Sequence, residues 1–166
     1  MSPVDPVGGN VDPFDVPELS DEEAALLAAV WEADGRRRHL EHTVTPAEAA
    51  AMLRVEPRHI EDDIKAGRLW ATSRSGEQRV PRWEFVFTGQ PDRRDAWQLL
   101  PHLTEVLGAM PVSLSRKYGE MMHAFMTTPQ DETLVDGEPV SAVDWLADGR
   151  DPNPVIEALT DYDCRW

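Results

Sequence analysis

The chain has 166 residues, a mass near 18.7 kDa and a formal net charge of −15, from 16 basic and 31 acidic side chains. Hydrophobic residues make up 41%, enough for one or two small cores, and no run reaches the ~18 apolar residues that a membrane-spanning helix needs. Cys164 stands alone, so an intramolecular disulfide is excluded, and the start Met1-Ser2-Pro3-Val4-Asp5 has neither the basic nor the apolar region of a secretory leader. A cytoplasmic location follows as the expectation.

The charge is unevenly spread. Residues 1–42 carry a net −7, residues 43–94 a net +1 and residues 95–166 a net −9. The middle third is therefore a different electrostatic object from its flanks. Contact with a polyanion is expected from the middle, and contact with a basic partner from the rear.

Residues 1–19 read as a disordered acidic tail. Pro3, Pro6, Gly8, Gly9, Pro13 and Pro17 alternate with Asp5, Asp12 and Asp15, and such a segment buries too little to offset its ordering cost. Phe14 and Val16 have docking on a partner or on the body as the alternative reading. Order is expected from Ser20. Ser20 and Glu23 have the spacing of a capping box, and Leu26, Leu27, Val30 and Trp31 follow at helical spacing. Gly35 is read as the stop, and Arg36, Arg37 and Arg38 as a basic end, either solvated or touching phosphate.

A second helix is signalled at Thr45-Pro46-Ala47-Glu48, with a capping threonine, proline at the first helical position and glutamate at the third. Ala47, Ala50, Ala51 and Leu53 give it a small-residue face that lets another helix approach closely. Arg54-Val55-Glu56 reads as a tight turn. Pro57 then opens a helix with Ile60 and Ile64 on its buried side, which Gly67 closes. Leu69–Thr72 and Gln78–Val80 read as strands joined through residues 73–77. Two short helices and a hairpin make a winged helix-turn-helix.

Thr45-Pro46-Ala47-Glu48-Ala49-Ala50, Leu53-Arg54-Val55, Ile60, Ile64-Lys65-Ala66-Gly67-Arg68-Leu69 and Arg79-Val80-Pro81 together resemble the excisionase/MerR-type winged helix-turn-helix over about a quarter of the chain. The resemblance implies that the second helix enters the major groove and that the wing touches the backbone or minor groove. The candidate DNA-binding residues are Arg54, Arg58, His59, Lys65, Arg74, Arg79 and Arg82. Glu61, Asp62 and Asp63 stand beside them where the family carries uncharged or basic groups. A carboxylate near phosphate opposes binding, although it can accept from a cytosine amino group.

Residues 87–95 read as a turn-rich hinge between a domain over 20–88 and another over 95–166. Leu99, Leu100, Leu103, Val106 and Leu107 read as one helical stripe closed by Gly108. Ser113 is read as the cap of a longer helix with Tyr118, Met121, Met122, Phe125 and Met126. Pro129 stops it, residues 134–139 turn, residues 140–146 form two helical turns ended by Gly149, and Asn153-Pro154 opens the last helix. The expected fold class is mainly α: a winged helix-turn-helix with a small β-hairpin, plus a small helical C-terminal domain.

Phe125-Met126-Thr127-Thr128-Pro129, Leu134…Gly137-Glu138-Pro139, residues 142–149 and Val155-Ile156…Leu159 are similar, in order and spacing, to the toxin-binding domain of Xre/MbcA/ParS-like antitoxins. That resemblance implies a cognate protein toxin of the RES type, which consumes NAD⁺ and whose active site the C-terminal region blocks. Trp145, Asp161, Tyr162, Asp163 and Trp166 are the candidate toxin-binding residues. An acidic end with aromatic anchors suits an arginine-rich pocket. Ordinary acidic solubility, with Trp166 packed on its own helix, is the alternative.

No catalytic set is expected. The sequence lacks a glycine-rich phosphate loop, His39 and His42 have no third ligand at matching spacing, and Cys164 sits in an acidic setting that does not activate a thiol. No metal, cofactor or membrane is expected. The sequence thus points to an antitoxin and transcriptional autoregulator, binding operator DNA as a homodimer and neutralising a toxin. A DNA-binding or excisionase-like regulator without a toxin is one alternative. A protein-interaction adaptor whose helix-turn-helix does not bind DNA is the other.

Overall fold

The computed structural model describes residues 19–74, 76–89, 96–111 and 119–163. The expected tail lies almost wholly outside them. The chain divides into two units, at Arg37/Arg38. The expected boundary at residues 87–95 is not where the division falls.

The described part of the first unit is helical. Helix α1 runs Asp21–His42 and continues past the division. The Ser20 cap forms as expected: Ser20 Oγ accepts from the Glu23 N–H at 3.3 Å, and the Glu23 carboxylate accepts from the Ser20 N–H at 2.9 Å and hydroxyl at 2.7 Å. These bonds hold the Glu23 carboxyl below the ordinary range. Gly35 does not stop the helix. A mid-helix glycine costs only about 1 kcal/mol, and ion pairs Glu32–Arg36 (3.2 Å) and Asp34–Arg37 (2.6 Å) bracket it on successive turns.

The second unit, from Arg38, holds everything else. After α1 come β1 (Thr43–Val44), α2 (Pro46–Leu53), α3 (Pro57–Lys65), β2 (Thr72–Arg74), β3 (Glu77–Pro81), a 3₁₀ turn (Arg82–Glu84) and β4 (Phe85–Phe87). Then follow β5 (Trp97–Leu99), α4 (Leu103–Ala109), α5 (Gly119–Thr127), β6 (Pro129–Val135), β7 (Glu138–Ser141), α6 (Ala142–Ala147) and α7 (Asn153–Asp163). The protein is mainly α, with three small antiparallel sheets ordered β1-β3-β2, β4-β5 and β6-β7.

Several elements differ from the sequence reading. The stripe at Leu99–Leu107 is not one helix. Pro101 withholds a donor, His102 takes a left-handed φ of 59°, and α4 starts only at Leu103. Trp97–Leu99 pairs instead with β4, and the Trp97 and Phe87 rings meet at 5.2 Å. Residues 134–139 are not just a turn. They are the end of a hairpin whose two-residue tip, Asp136-Gly137, has φ of 53° and 87°, the left-handed pair that right-twisted strands favour. The expected cap Ser113 and its helical start lie outside the described residues; the described helix begins at Gly119.

One core runs through the second unit. Val44, Ile60, Leu69, Val80, Trp83 and Phe85 from before residue 89 belong to the same buried cluster as Leu103, Val106, Met122, Met126, Leu146 and Leu159 from after it. The β4–β5 pairing and the Leu100 N–H bond to the Glu84 carbonyl (2.8 Å) cross the expected hinge. A separate C-terminal domain is therefore not what the fold contains.

Candidate nucleic-acid interface

Helices α2 and α3 are set by local chemistry. Thr45 Oγ1 accepts from the Glu48 N–H at 3.2 Å, and Glu48 accepts from the Thr45 N–H at 2.7 Å. The Thr45 N–H bond first, and then a bond from the Thr45 hydroxyl at 3.0 Å, hold the Glu48 carboxyl below the ordinary range. Pro46 and Pro57 start the two helices. Ala49 and Ala50 are buried and small, which brings α3 and its buried Ile60 close. Arg54 ends α2 in the left-handed region at φ 56°, and its N–H caps the Ala51 carbonyl at 3.3 Å. That backbone reversal makes the turn.

The candidate DNA-binding residues divide into groups. Arg54 and His59 are exposed at the turn and first turn of α3. Arg58 is exposed and pairs with Glu56 at 2.8 Å. Lys65 pairs with Asp62 at 3.7 Å, and Arg68 grips Asp63 through two nitrogens at 2.8 and 2.5 Å. So two of the three acids that interrupt α3 are held by cations of the same segment, and Glu61 is exposed. Arg82 is exposed on the 3₁₀ turn. The Arg74 side chain lies outside the described residues.

Arg79 is not a surface reader. Its side chain is only 11% exposed. Its Nε donates to Thr43 Oγ1 at 2.8 Å, Nη2 to the Thr43 carbonyl at 3.3 Å and Nη1 to Glu77 at 2.9 Å. It ties β1 to β3. Charged hydrogen bonds of this kind contribute about 1.5–3 kcal/mol each, and with the exposed Glu77 pair discounted the two bonds to Thr43 set an expected loss of about 3 kcal/mol or more for Arg79→Met. Urea unfolding checks this, and an unchanged midpoint would refute the structural role.

The rear candidates are also sorted. Trp145 is half-buried. Its indole N–H donates to the Asp151 carbonyl at 2.7 Å, and the Arg150 guanidinium lies 5.0 Å from its ring centre. It braces the 145–151 loop, a role within the chain that the sequence reading missed. Asp161 is exposed on α7. The Tyr162 and Asp163 side chains, and Trp166 altogether, lie outside the described residues. From Asp131 to Asp161 the exposed acids are Asp131, Glu132, Asp136, Glu138, Asp144, Asp148, Asp151, Glu157 and Asp161, against one arginine, Arg150. This stretch is a strongly anionic surface.

A histidine-lined cleft of about 360 Å³ also appears, bounded by Arg38, His39, His42, Thr43, Thr72 and His123 among others. The His42 and His123 rings stack at 4.1 Å. The sequence paired His39 with His42 but carried no signal for His123, eighty-one residues further on. Among the described residues no cluster has the geometry to hold a metal ion, and no helix is long and apolar enough to cross a membrane.

No family model, no curated protein and no solved structure matches the chain.

Proposed function

We propose that the chain is an antitoxin-type regulator. In this reading α2, α3 and the β2–β3 hairpin act as a winged helix-turn-helix on operator DNA. The anionic surface from Asp131 to Asp161 meets a basic protein pocket, of the kind that a RES-type NAD⁺-consuming toxin would present. The observation that carries the reading is the exposure of Arg54, Arg58 and His59 around the N-terminal end of α3. That is the end from which recognition helices touch bases. The anionic surface supports the second half, because charge complementarity steers a basic partner.

A second reading is favoured by a specific observation. Arg58, Lys65 and Arg68 each have an acid of their own segment as partner. Such internal neutralisation weakens phosphate binding, which depends on net charge delivered to the backbone. The alternative is thus an adaptor whose helix pair does not bind DNA.

Fluorescence anisotropy with the DNA upstream of the gene separates them. The regulator should bind with an affinity that falls as salt rises. Arg54→Ala with Arg58→Ala should weaken it about tenfold or more, at roughly 1–3 kcal/mol per contact. No binding at low salt would leave the adaptor. Co-expression with the product of the adjacent gene tests the toxin half, since loss of NAD⁺ depletion in a stable complex is the expected result.

A further inference from the structure

Within residues 21–37, α1 displays large apolar side chains to solvent. Leu26 is 62% exposed, Val30 61% and Trp31 67%, with Leu27 beside them at 36%. At about 100° per residue these four fall on one side of the helix. Alanines fill much of the rest (Ala24, Ala25, Ala28, Ala29, Ala33), so the stripe is one of side-chain size. Single exposed hydrophobics are ordinary, but four contiguous ones including a tryptophan mark an interaction surface.

The charges say what covers it. The first turn holds Asp21, Glu22 and Glu23, and the far end of the same segment holds Arg36 and Arg37, which balance Glu32 and Asp34 there. A second α1 laid parallel would set acid against acid. Laid antiparallel and centred on Val30, it sets Glu23 of each copy opposite Arg37 of the other, whose guanidinium then bridges Glu23 and the Asp34 of its own helix. The surface is therefore complementary to itself under a two-fold axis, as an isologous contact requires.

We propose that α1 is a homodimerisation helix, packing antiparallel on the α1 of a second copy through Leu26, Leu27, Val30 and Trp31. Helix α1 has 22 residues, a length of about 33 Å. One such pair buries less than the ~800 Å² per partner of a standard interface. The dimer is accordingly of roughly micromolar affinity. The inference uses α1 alone and stands apart from the DNA and toxin readings.

Sedimentation of the full chain without DNA or partner, across a concentration series, tests it. A concentration-dependent monomer–dimer equilibrium is expected. Val30→Glu should weaken it by more than about tenfold, since it buries two unpaired carboxylates at the axis. Arg37→Glu alone should also weaken it. Adding Glu23→Arg to Arg37→Glu should then tighten the dimer again, even though Glu23→Arg sacrifices the Ser20 cap. A chain that stays monomeric throughout, a dimer indifferent to Val30→Glu, or a double variant no tighter than Arg37→Glu would each overturn the proposal. The last outcome would point to a parallel pair or another occupant of the stripe. Circular dichroism of each variant confirms that α1 is still helical.

Discussion

A chain ending at Thr88 is expected to be unfolded, although it retains the whole α2–α3 pair and the β2–β3 hairpin. The cut removes β5, the partner of β4, and the Leu100 N–H that satisfies the Glu84 carbonyl. It also removes Leu103, Val106, Met122, Phe125, Met126, Leu146, Val155 and Leu159 from a core they share with Ile60, Val80 and Trp83. Each fully buried side chain of this size contributes roughly 1.5–3 kcal/mol. A domain's net stability is only about 5–15 kcal/mol. The eight together contribute about 12–24 kcal/mol, as much as or more than that whole net stability. The check is an amide correlation spectrum of residues 1–88. Narrow dispersion is expected, and a well-dispersed spectrum would show that the front half folds alone. For the full chain, one cooperative transition should be seen by every probe, and amide exchange in α3 should slow to the same limit as in α7.

Glu84→Gln is expected to stabilise the protein above neutral pH. Glu84 is fully buried, and both of its carboxylate oxygens accept from the single Trp70 N–H, at 3.2 Å each. Burial pushes its carboxyl well above the ordinary range, and the Trp70 bond only partly opposes this. The folded state thus holds a proton that the unfolded chain releases from about pH 4.3. Where the folded state binds more protons, stability falls as pH rises. Glu84 therefore stabilises most below the ordinary carboxylate pKa, and its contribution is lost as pH climbs from there to the raised value. Glutamine keeps an acceptor for Trp70 and has nothing to ionise. The difference in unfolding free energy between Glu84→Gln and the parent should grow from pH 5 to pH 8 and pass about 1 kcal/mol, the scale of an uncompensated buried polar group. A difference that does not change with pH would mean that Glu84 is not the proton-holding group.

Features written within five or six residues were legible in the sequence. The capping boxes at Ser20 and Thr45, the prolines that open α2 and α3, the left-handed Gly67 and Gly149, and the start of α7 all follow from local rules, whereas the helix read over residues 140–146 starts only at Ala142, with Val140 and Ser141 in β7. What failed depends on partners far along the chain. Gly35 looked like a stop because a glycine carries no information about the ion pairs bridging it. Leu99–Leu107 matched a helical period because both a strand end and a short helix can place leucines three or four apart. Thr43–Val44 is too short to show as a strand, and only its pairing with Val80 and Pro81 makes it one.

The candidate site was readable in the same measure. Arg54, Arg58 and His59 are exposed as their positions in a turn and first helical turn imply. Arg79 was misread because alternation along β3 cannot reveal that Thr43, thirty-six residues earlier, supplies two acceptors for it. No local signal marks Glu84 as buried, because the groups around it, Trp70 and the Leu100 backbone among them, come from distant parts of the chain. The hinge reading failed for the same reason: a run of Gly, Pro, Asp and Arg shows a turn, and not whether the strands on either side pair.

The two-residue tip of the β6–β7 hairpin has a kinetic consequence. Thr133 Oγ1 donates to the Val140 carbonyl at 2.6 Å within it, so its bonds close over a few residues, and hairpins of that kind form in about 1–10 μs. The β1–β3 ladder must instead bring together Thr43 and Pro81, which delays it by the entropy of closing the longer loop. The β6–β7 hairpin is therefore expected to close before the β1–β3 ladder, although β1 leaves the ribosome first.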